Sequence, residues 1–405
     1  MRAYERFLDY VKVFTTSDEE SDSTPTTQRQ FDLSRLLSRE MEGLGLSDVY
    51  VDEHAYVYGR IPASAGMEHK PSIGFIAHLD TAPDFSGEAV KPQLHANYDG
   101  GDVALGDSGR VLSAEQFPHL KNLKGHTLIT TDGSTLLGAD DKAGIAEILT
   151  ACEVILKENR PHGPVTVCFT PDEEVGHGAG LLDLERFAAD FAFTVDGGEP
   201  WELNYETFNA AAARWEVKGF NIHPGEARNK MVNASLVAME INAMLPAGER
   251  PEHTEGYEGF FHLCDMKGTV EKAELNYIIR DHDAAAFVLR KKSMEHICAL
   301  INEKYGAGTA TVQFTEQYRN MAEALRERMD IVSLAEKAIR RAGLPYTPAP
   351  IRGGTDGAQL SFRGLLCPNL GTGGYCFHGP YEHISAETMD QAVEVILNIV
   401  DENLR

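Results

Sequence analysis

His78-Leu79-Asp80 closes the apolar run Ile73–Ala77, and three further runs of the chain end in a similar way. Val165–Thr170 leads into Pro171-Asp172-Glu173-Glu174, Phe191–Val195 stops at Asp196, and Leu136-Leu137-Gly138-Ala139 stops at Asp140-Asp141. In an open α/β sheet the carboxyl ends of the strands face one crevice, where ligands bind. A histidine and several carboxylates delivered there suit a divalent-metal centre with an acid/base residue beside it.

The spacing sharpens this reading. Side chains alternate along a strand, so His78 and Asp80 share one side, and Asp80 can accept the second ring N–H of a ligating His78. Glu173 and Glu174 are neighbours in extended backbone and point apart, so one can bind a metal while the other faces water as a general base. Each feature alone has an ordinary explanation: a strand-end ion pair, a solvated loop, or an Asp at a helix N-cap for Asp140-Asp141. Their conjunction does not. An aspartate can bridge two ions, and two-metal sites hold their ions ~3.5–4 Å apart and make a hydroxide nucleophile at neutral pH.

Strands alternating with helices must position these residues. Helices are expected over Gln28–Leu44, with Thr26 or Thr27 as cap, and over Lys142–Lys157; strands are expected near Val49–Val51, Tyr56–Arg60 and Ile73–His78. This predicts an α/β fold with a mainly parallel sheet flanked by helices. His95–Leu112, rich in Gly and Asp, reads as an aperiodic surface excursion. After Phe208 the pattern changes to strands at Ala210–Lys218, Lys272–Arg280 and Thr311–Gln317 with helices at Met231–Leu245 and Ala284–Tyr305. A smaller α+β lid domain, 208–321, is therefore expected as an insertion into a discontinuous catalytic domain, 1–207 and 322–405, which closes with a helix at Ala386–Asn403.

The totals agree. At 405 residues the chain should hold two or three domains. A net charge of −25 opposes binding to nucleic acid and to anionic membranes. No apolar run approaches the ~18 residues that span a bilayer. Six scattered cysteines and no secretory signal pattern point to a reduced, cytoplasmic protein.

Four segments carry a resemblance: Phe75-Ile76-Ala77-His78-Leu79-Asp80-Thr81, Gly138-Ala139-Asp140-Asp141-Lys142-Ala143-Gly144, Pro171-Asp172-Glu173-Glu174-Val175-Gly176 and Val195-Asp196-Gly197-Gly198. The chain resembles the dinuclear zinc aminopeptidase/carboxypeptidase/deacylase superfamily. Within it the similarity runs nearly the whole length and is strongest to the tripeptide aminopeptidases, through Gly219–Gly225, Ile279–Asp283, Ile351–Gly357 and Phe377-His378-Gly379. The resemblance implies two divalent ions per chain, expected to be Zn2+. One would be held by His78 and Asp196, the other by Glu174 and His378, with Asp140 bridging. Glu173 would be the general base for a metal-bridging hydroxide, and Asp80 would orient His78. It also implies a cis Asp140–Asp141 bond and an oxyanion role for His223, which on its turn otherwise reads as an exposed residue. Arg280 and Arg352 are candidates to grip the substrate carboxylate, which their guanidinium forks match, the alternative for either being a structural salt bridge.

Two positions depart from the pattern. Cys376 stands where Asn is expected and His282 where Phe is expected; Cys376 reads as a packing residue rather than a soft ligand. The expected activity is release of the N-terminal residue from tripeptides, the alternative being a carboxypeptidase or N-acyl amino acid deacylase with the same centre. A catalytically dead binding protein is disfavoured by Glu173 and Asp80, and a two-metal phosphatase by the charge and by the lack of a phosphate loop. The expected partners are a small peptide and, through the lid domain, a second copy of the chain.

Overall fold

Ile73–His78 lies at the centre of an eight-stranded sheet and pairs in parallel with Val165–Thr170 on one side and Phe191–Val195 on the other. The computed structural model describes residues 1–405. All three strands are buried along their length, as their near-continuous apolar runs require of parallel strands covered on both faces. Alternate residues serve opposite faces. Phe75, Ala77, Val167, Phe169 and Phe193 join one apolar cluster, while Ile76, Cys168 and Ala192 join another.

The sheet is mixed. Ser47–Val51 and Val57–Ile61 add an antiparallel edge against Val165–Thr170. Asn369–Leu370 slots between Phe191–Val195, with which it is parallel, and Glu202–Asn204, with which it is antiparallel. Helices Ala3–Tyr10, Ala139–Glu158, Met329–Arg341 and Ala386–Glu402 contribute to the larger cluster. Helix Ala139–Glu158 approaches the sheet at Gly144, where a Cβ would collide with the Val195 carbonyl oxygen and the Asp141 carboxylate. Only glycine permits that approach.

The chain divides into two compact units: Met1–Tyr205 with Ala324–Ala349 and Thr355–Arg405, and Glu206–Glu323 with Pro350–Gly354. These limits differ from the 207/208 and 321/322 expected from the sequence, and the inserted unit also holds the return segment Pro350–Gly354. It is bound there by backbone: Ile351 N donates to Glu206 O. The second unit is a four-stranded antiparallel sheet ordered Phe260–Gly268, Lys272–Asp281, Asn209–Lys218, Ala310–Tyr318. Helices Ala234–Met244 and Ala284–Tyr305 pack on it around Trp215, Leu275 and Ile279. Asn233 and Asp283 cap them by accepting first-turn N–H groups.

Other expectations are corrected. Helix Gln30–Leu44 is preceded by Arg29 with no side-chain cap, because the Thr26 hydroxyl donates to Asp172 instead. The stretch His95–Leu112 is more than a surface excursion: it holds the short hairpin Val103–Ala104 with Val111–Leu112 and buries Tyr98, Leu105 and Leu112 in a small cluster. No helix is long and apolar enough to cross a membrane.

Candidate metal centre

The carboxyl ends of the three buried strands deliver four side chains to one place. His78 ends its strand, Asp196 follows Phe191–Val195, and Glu173 and Glu174 sit on a turn after Val165–Thr170. Asp140 comes from the start of helix Ala139–Glu158, where the Asp140–Asp141 peptide is cis. His378 reaches the same point from the loop beyond Gly374–Tyr375.

The distances are those of one cluster. His78 Nε2 lies 2.8 Å from Asp140 Oδ1 and 4.0 Å from Asp196 Oδ1. His378 Nε2 lies 3.4 Å from Asp140 Oδ2 and 3.0 Å from Glu174 Oε2. Asp140 thus faces one histidine with each oxygen. Potential ligand atoms of His78, Asp140 and Glu174 fall within 4.8 Å of one another, as do those of His78, Asp141 and Asp196. His78 is buried, whereas the His378 side chain is 42% exposed, so the cluster opens at that histidine.

Burial dominates the electrostatics. It raises Glu173 well above the carboxylate range, and Asp196 likewise, with Asp140 adding to the effect on Asp196. Burial and Asp140 push Glu174 up to about 7. Burial also works against charge on Asp140, yet hydrogen bonds from His378 and His78 hold it below its usual value. The bonds of His378 to Asp140 and to Glu174 raise its own pKa to about 11. Acids crowded this closely repel one another, and a divalent cation inverts that logic by favouring every ionised form. The donor set fits such ions: imidazole nitrogen and carboxylate oxygen, with Glu174 Oε1 buried and without a hydrogen-bond partner.

Asp80 is fully buried and braces the cluster. Its Oδ1 accepts the Glu173 N–H at 3.0 Å, its Oδ2 accepts the Glu174 N–H at 3.2 Å, and it faces His78 Nδ1 at 3.4 Å. His78 Nδ1 also lies 3.1 Å from the Asp80 carbonyl oxygen. The carboxylate therefore grips the turn bearing both glutamates as well as facing the histidine.

Residues 129–402 match the sequence profile of peptidase family M20/M25/M40. The chain belongs to that family. The M20/M25/M40 relatives include Peptidase T of Alkaliphilus oremlandii, 52% identical over 400 residues covering 98% of each chain, and Peptidase T of Clostridium perfringens strain 13, 53% identical over 402 residues with the same coverage. Its fold is that of solved M20-type structures. Aminopeptidase PepT from Bacillus cereus superposes with a TM-score of 0.79 at 22% identity, and a Staphylococcus aureus tripeptidase with 0.79 at 21%, each covering 100% of this chain and 98% of the other.

Not every residue singled out in this M20 family member sits in the cluster. His223, Arg280 and Arg352 belong to the second unit. His223 is exposed, and its Nδ1 accepts the Gly225 N–H. Arg280 is buried on strand Lys272–Asp281, where its Nη1 donates to Ile279 O at 3.0 Å and its guanidinium lies over the Tyr318 ring. Arg352 Nη1 donates to Gly256 O and Glu258 O, its Nη2 donates to Thr254 Oγ1, and Phe208 and Phe260 flank it.

Two supporting acids escaped the sequence reading. Asp172, at φ 57°, accepts from Thr26 N, Thr26 Oγ1 and Gln30 Nε2 at 2.8, 2.5 and 2.6 Å, tying the N-terminal segment to the residue before Glu173. Glu382 accepts the N–H groups of Leu137, Gly138 and Asp140 at 2.7, 2.8 and 3.0 Å, holding the turn that presents Asp140. The one signal for either was an acid beside a ligand motif.

Proposed function

We propose that the chain is a metal-dependent aminopeptidase that removes the N-terminal residue from tripeptides. The observation that carries this reading is the convergence of His78, Asp140, Glu174, Asp196 and His378 beside Glu173, in a chain that resembles enzymes named Peptidase T along nearly its whole length. His78 and Asp196 would hold one divalent ion, Glu174 and His378 a second, and Asp140 both; the nitrogen and oxygen donors suit Zn2+. Bound there, such ions polarise a scissile carbonyl and lower the pKa of water.

The chain's own groups then have defined tasks. Glu173 takes the proton from the attacking water and returns it to the departing amine, and Asp80 fixes the backbone from which Glu173 projects. His223 donates to the developing oxyanion. Arg280 and Arg352 grip the peptide's terminal carboxylate, which turns peptide length into a selectable quantity. We assign Met1–Tyr205 with Ala324–Ala349 and Thr355–Arg405 to metal binding and proton transfer, and Glu206–Glu323 with Pro350–Gly354 to substrate closure and to pairing with a second copy. The cytoplasm is the proposed compartment, supported by six unpaired cysteines.

The test is a panel of Ala-Ala, Ala-Ala-Ala, Ala-Ala-Ala-Ala and N-acetyl-Ala against wild type and Glu173→Gln, with bound metal quantified. Preferred tripeptide cleavage, lost in the variant while metal is retained, is expected. Preference for N-acetyl-Ala would make the enzyme a deacylase instead, and loss of metal with Glu173→Gln would move that residue into the ligand set.

A further inference from the structure

A second group of metal-ligating side chains lies outside the carboxylate-rich centre. His119 sits on the short helix Pro118–Leu123, His383 begins the strand His383–Ser385, and Cys376 follows Gly374–Tyr375, whose Tyr375 pairs with His383. Potential ligand atoms of the three lie within 4.8 Å of one another. The set is two imidazoles and a thiol, with no carboxylate, and is softer than the first centre.

The histidines are prepared for ligation. His383 is fully buried, and its Nδ1–H donates to the Tyr381 carbonyl at 2.7 Å. That bond fixes the tautomer and leaves the Nε2 lone pair facing inward, the arrangement found around metal-bound imidazoles. His119 Nε2 meets it at 2.9 Å, with the rings 4° from parallel, and Tyr375 stacks on His119 at 4.2 Å as a wall. Burial lowers the pKa of both rings, His383 to about 4, so at neutral pH both imidazoles are neutral. His119 and Cys376 are partly exposed and give an ion access from solvent.

We propose that His119, Cys376 and His383 form a further metal site, taking one thiophilic d10 ion of the Zn2+ or Cu+ type. The ion replaces the proton that the two Nε2 atoms now share. Tetrahedral bonds of ~2.0–2.1 Å place two nitrogens about 3.3 Å apart, and because the rings now meet nearly head-on, with centroids 5.1 Å apart, the partly exposed His119 must also swing so that both lone pairs converge on the ion. The Cys376 thiol releases its proton to solvent as it ligates, and water fills the remaining position. Cys376 is two residues from His378, so an ion here also pins the segment that carries a residue of the first centre.

The test needs no peptide turnover and is independent of the proposed activity. The full chain, first stripped of metal with a chelator, is titrated with Cd2+ and separately with Cu+, reading thiolate-to-metal charge-transfer absorption in the ultraviolet, to which ions in the thiol-free first centre do not contribute. Wild type should give about one thiolate-bound equivalent per chain, weakened about tenfold or more in both Cys376→Ser and His119→Gln. His119→Gln alters a partly exposed side chain and serves if Cys376→Ser fails to fold. A response to Cd2+ marks a divalent site and a response to Cu+ alone a cuprous one; either supports the proposal. Absence of the band in wild type, or an unchanged band in both variants, overturns it.

Discussion

Asp172 offers the sharpest test of how the fold aims Glu173. In Asp172→Asn the Oδ1 contacts from Thr26 Oγ1 and Gln30 Nε2 can persist, but an NH2 group replaces Oδ2 and confronts the Thr26 N–H, donor against donor. Asn tolerates the left-handed backbone at φ 57°, so the change isolates the hydrogen bond. Losing a buried charge-assisted bond costs about 1.5–3 kcal/mol. If that penalty falls on the turn presenting Glu173, the poised population drops by at most a factor of roughly 10–150. Removal of a general base, the role proposed for Glu173, costs about 10²–10⁴, so Asp172→Asn should be milder than Glu173→Gln. The assay is steady-state tripeptide hydrolysis with metal content and urea unfolding measured on the same samples: kcat should fall, with KM and bound metal unchanged. A kcat within about threefold of wild type beside a clear loss of stability would refute the reasoning and reduce the clamp to a fold-stabilising contact.

Three further outcomes are expected. Glu382→Gln loosens the turn before Asp140 and should weaken metal binding by about 10–100-fold in chelator competition; unchanged affinity would remove Glu382 from any positioning role. Glu147 is buried with both carboxyl oxygens unpartnered, and burial raises its pKa well above the usual value. The folded state therefore binds the proton more tightly than the unfolded one, and the stabilisation it gives is complete below pH ~4.5 and declines as pH rises toward the folded pKa, by up to about 1.4 kcal/mol per pH unit. Glu147→Gln should flatten that decline in urea unfolding between pH 5 and pH 8, and parallel curves would count against it. Stripping metal with a chelator should abolish hydrolysis and lower the unfolding midpoint, and zinc at a hundred times its Kd should restore about 2.7 kcal/mol; a midpoint indifferent to metal would contradict a site formed only in the folded chain.

What the sequence made legible is tied to periodicity. The apolar runs ending at His78, Asp196 and the Glu173-Glu174 pair announce buried parallel strands, and those strands bring the named side chains together. Strand Phe260–Gly268 stayed hidden because it lies at a sheet edge and is buried only at Phe260 and Phe261, so most of its positions carry no apolar alternation. Asp172 and Glu382 were invisible for another reason: their roles consist of hydrogen bonds to groups more than 140 residues away in sequence. His119 likewise acquires meaning only when His383 arrives beside it. No local pattern encodes such partners.

The placement of Asn369–Leu370 between Phe191–Val195 and Glu202–Asn204 bears on how the protein comes into being. A ribosome delivers the flanking strands long before the one that joins them, and until then the sheet has an open seam with unpaired N–H and C=O groups along Phe191–Val195. Such edges invite pairing with other chains. A fragment ending near Tyr205 should therefore be prone to aggregation, and the nascent enzyme should depend on chaperones for much of its translation.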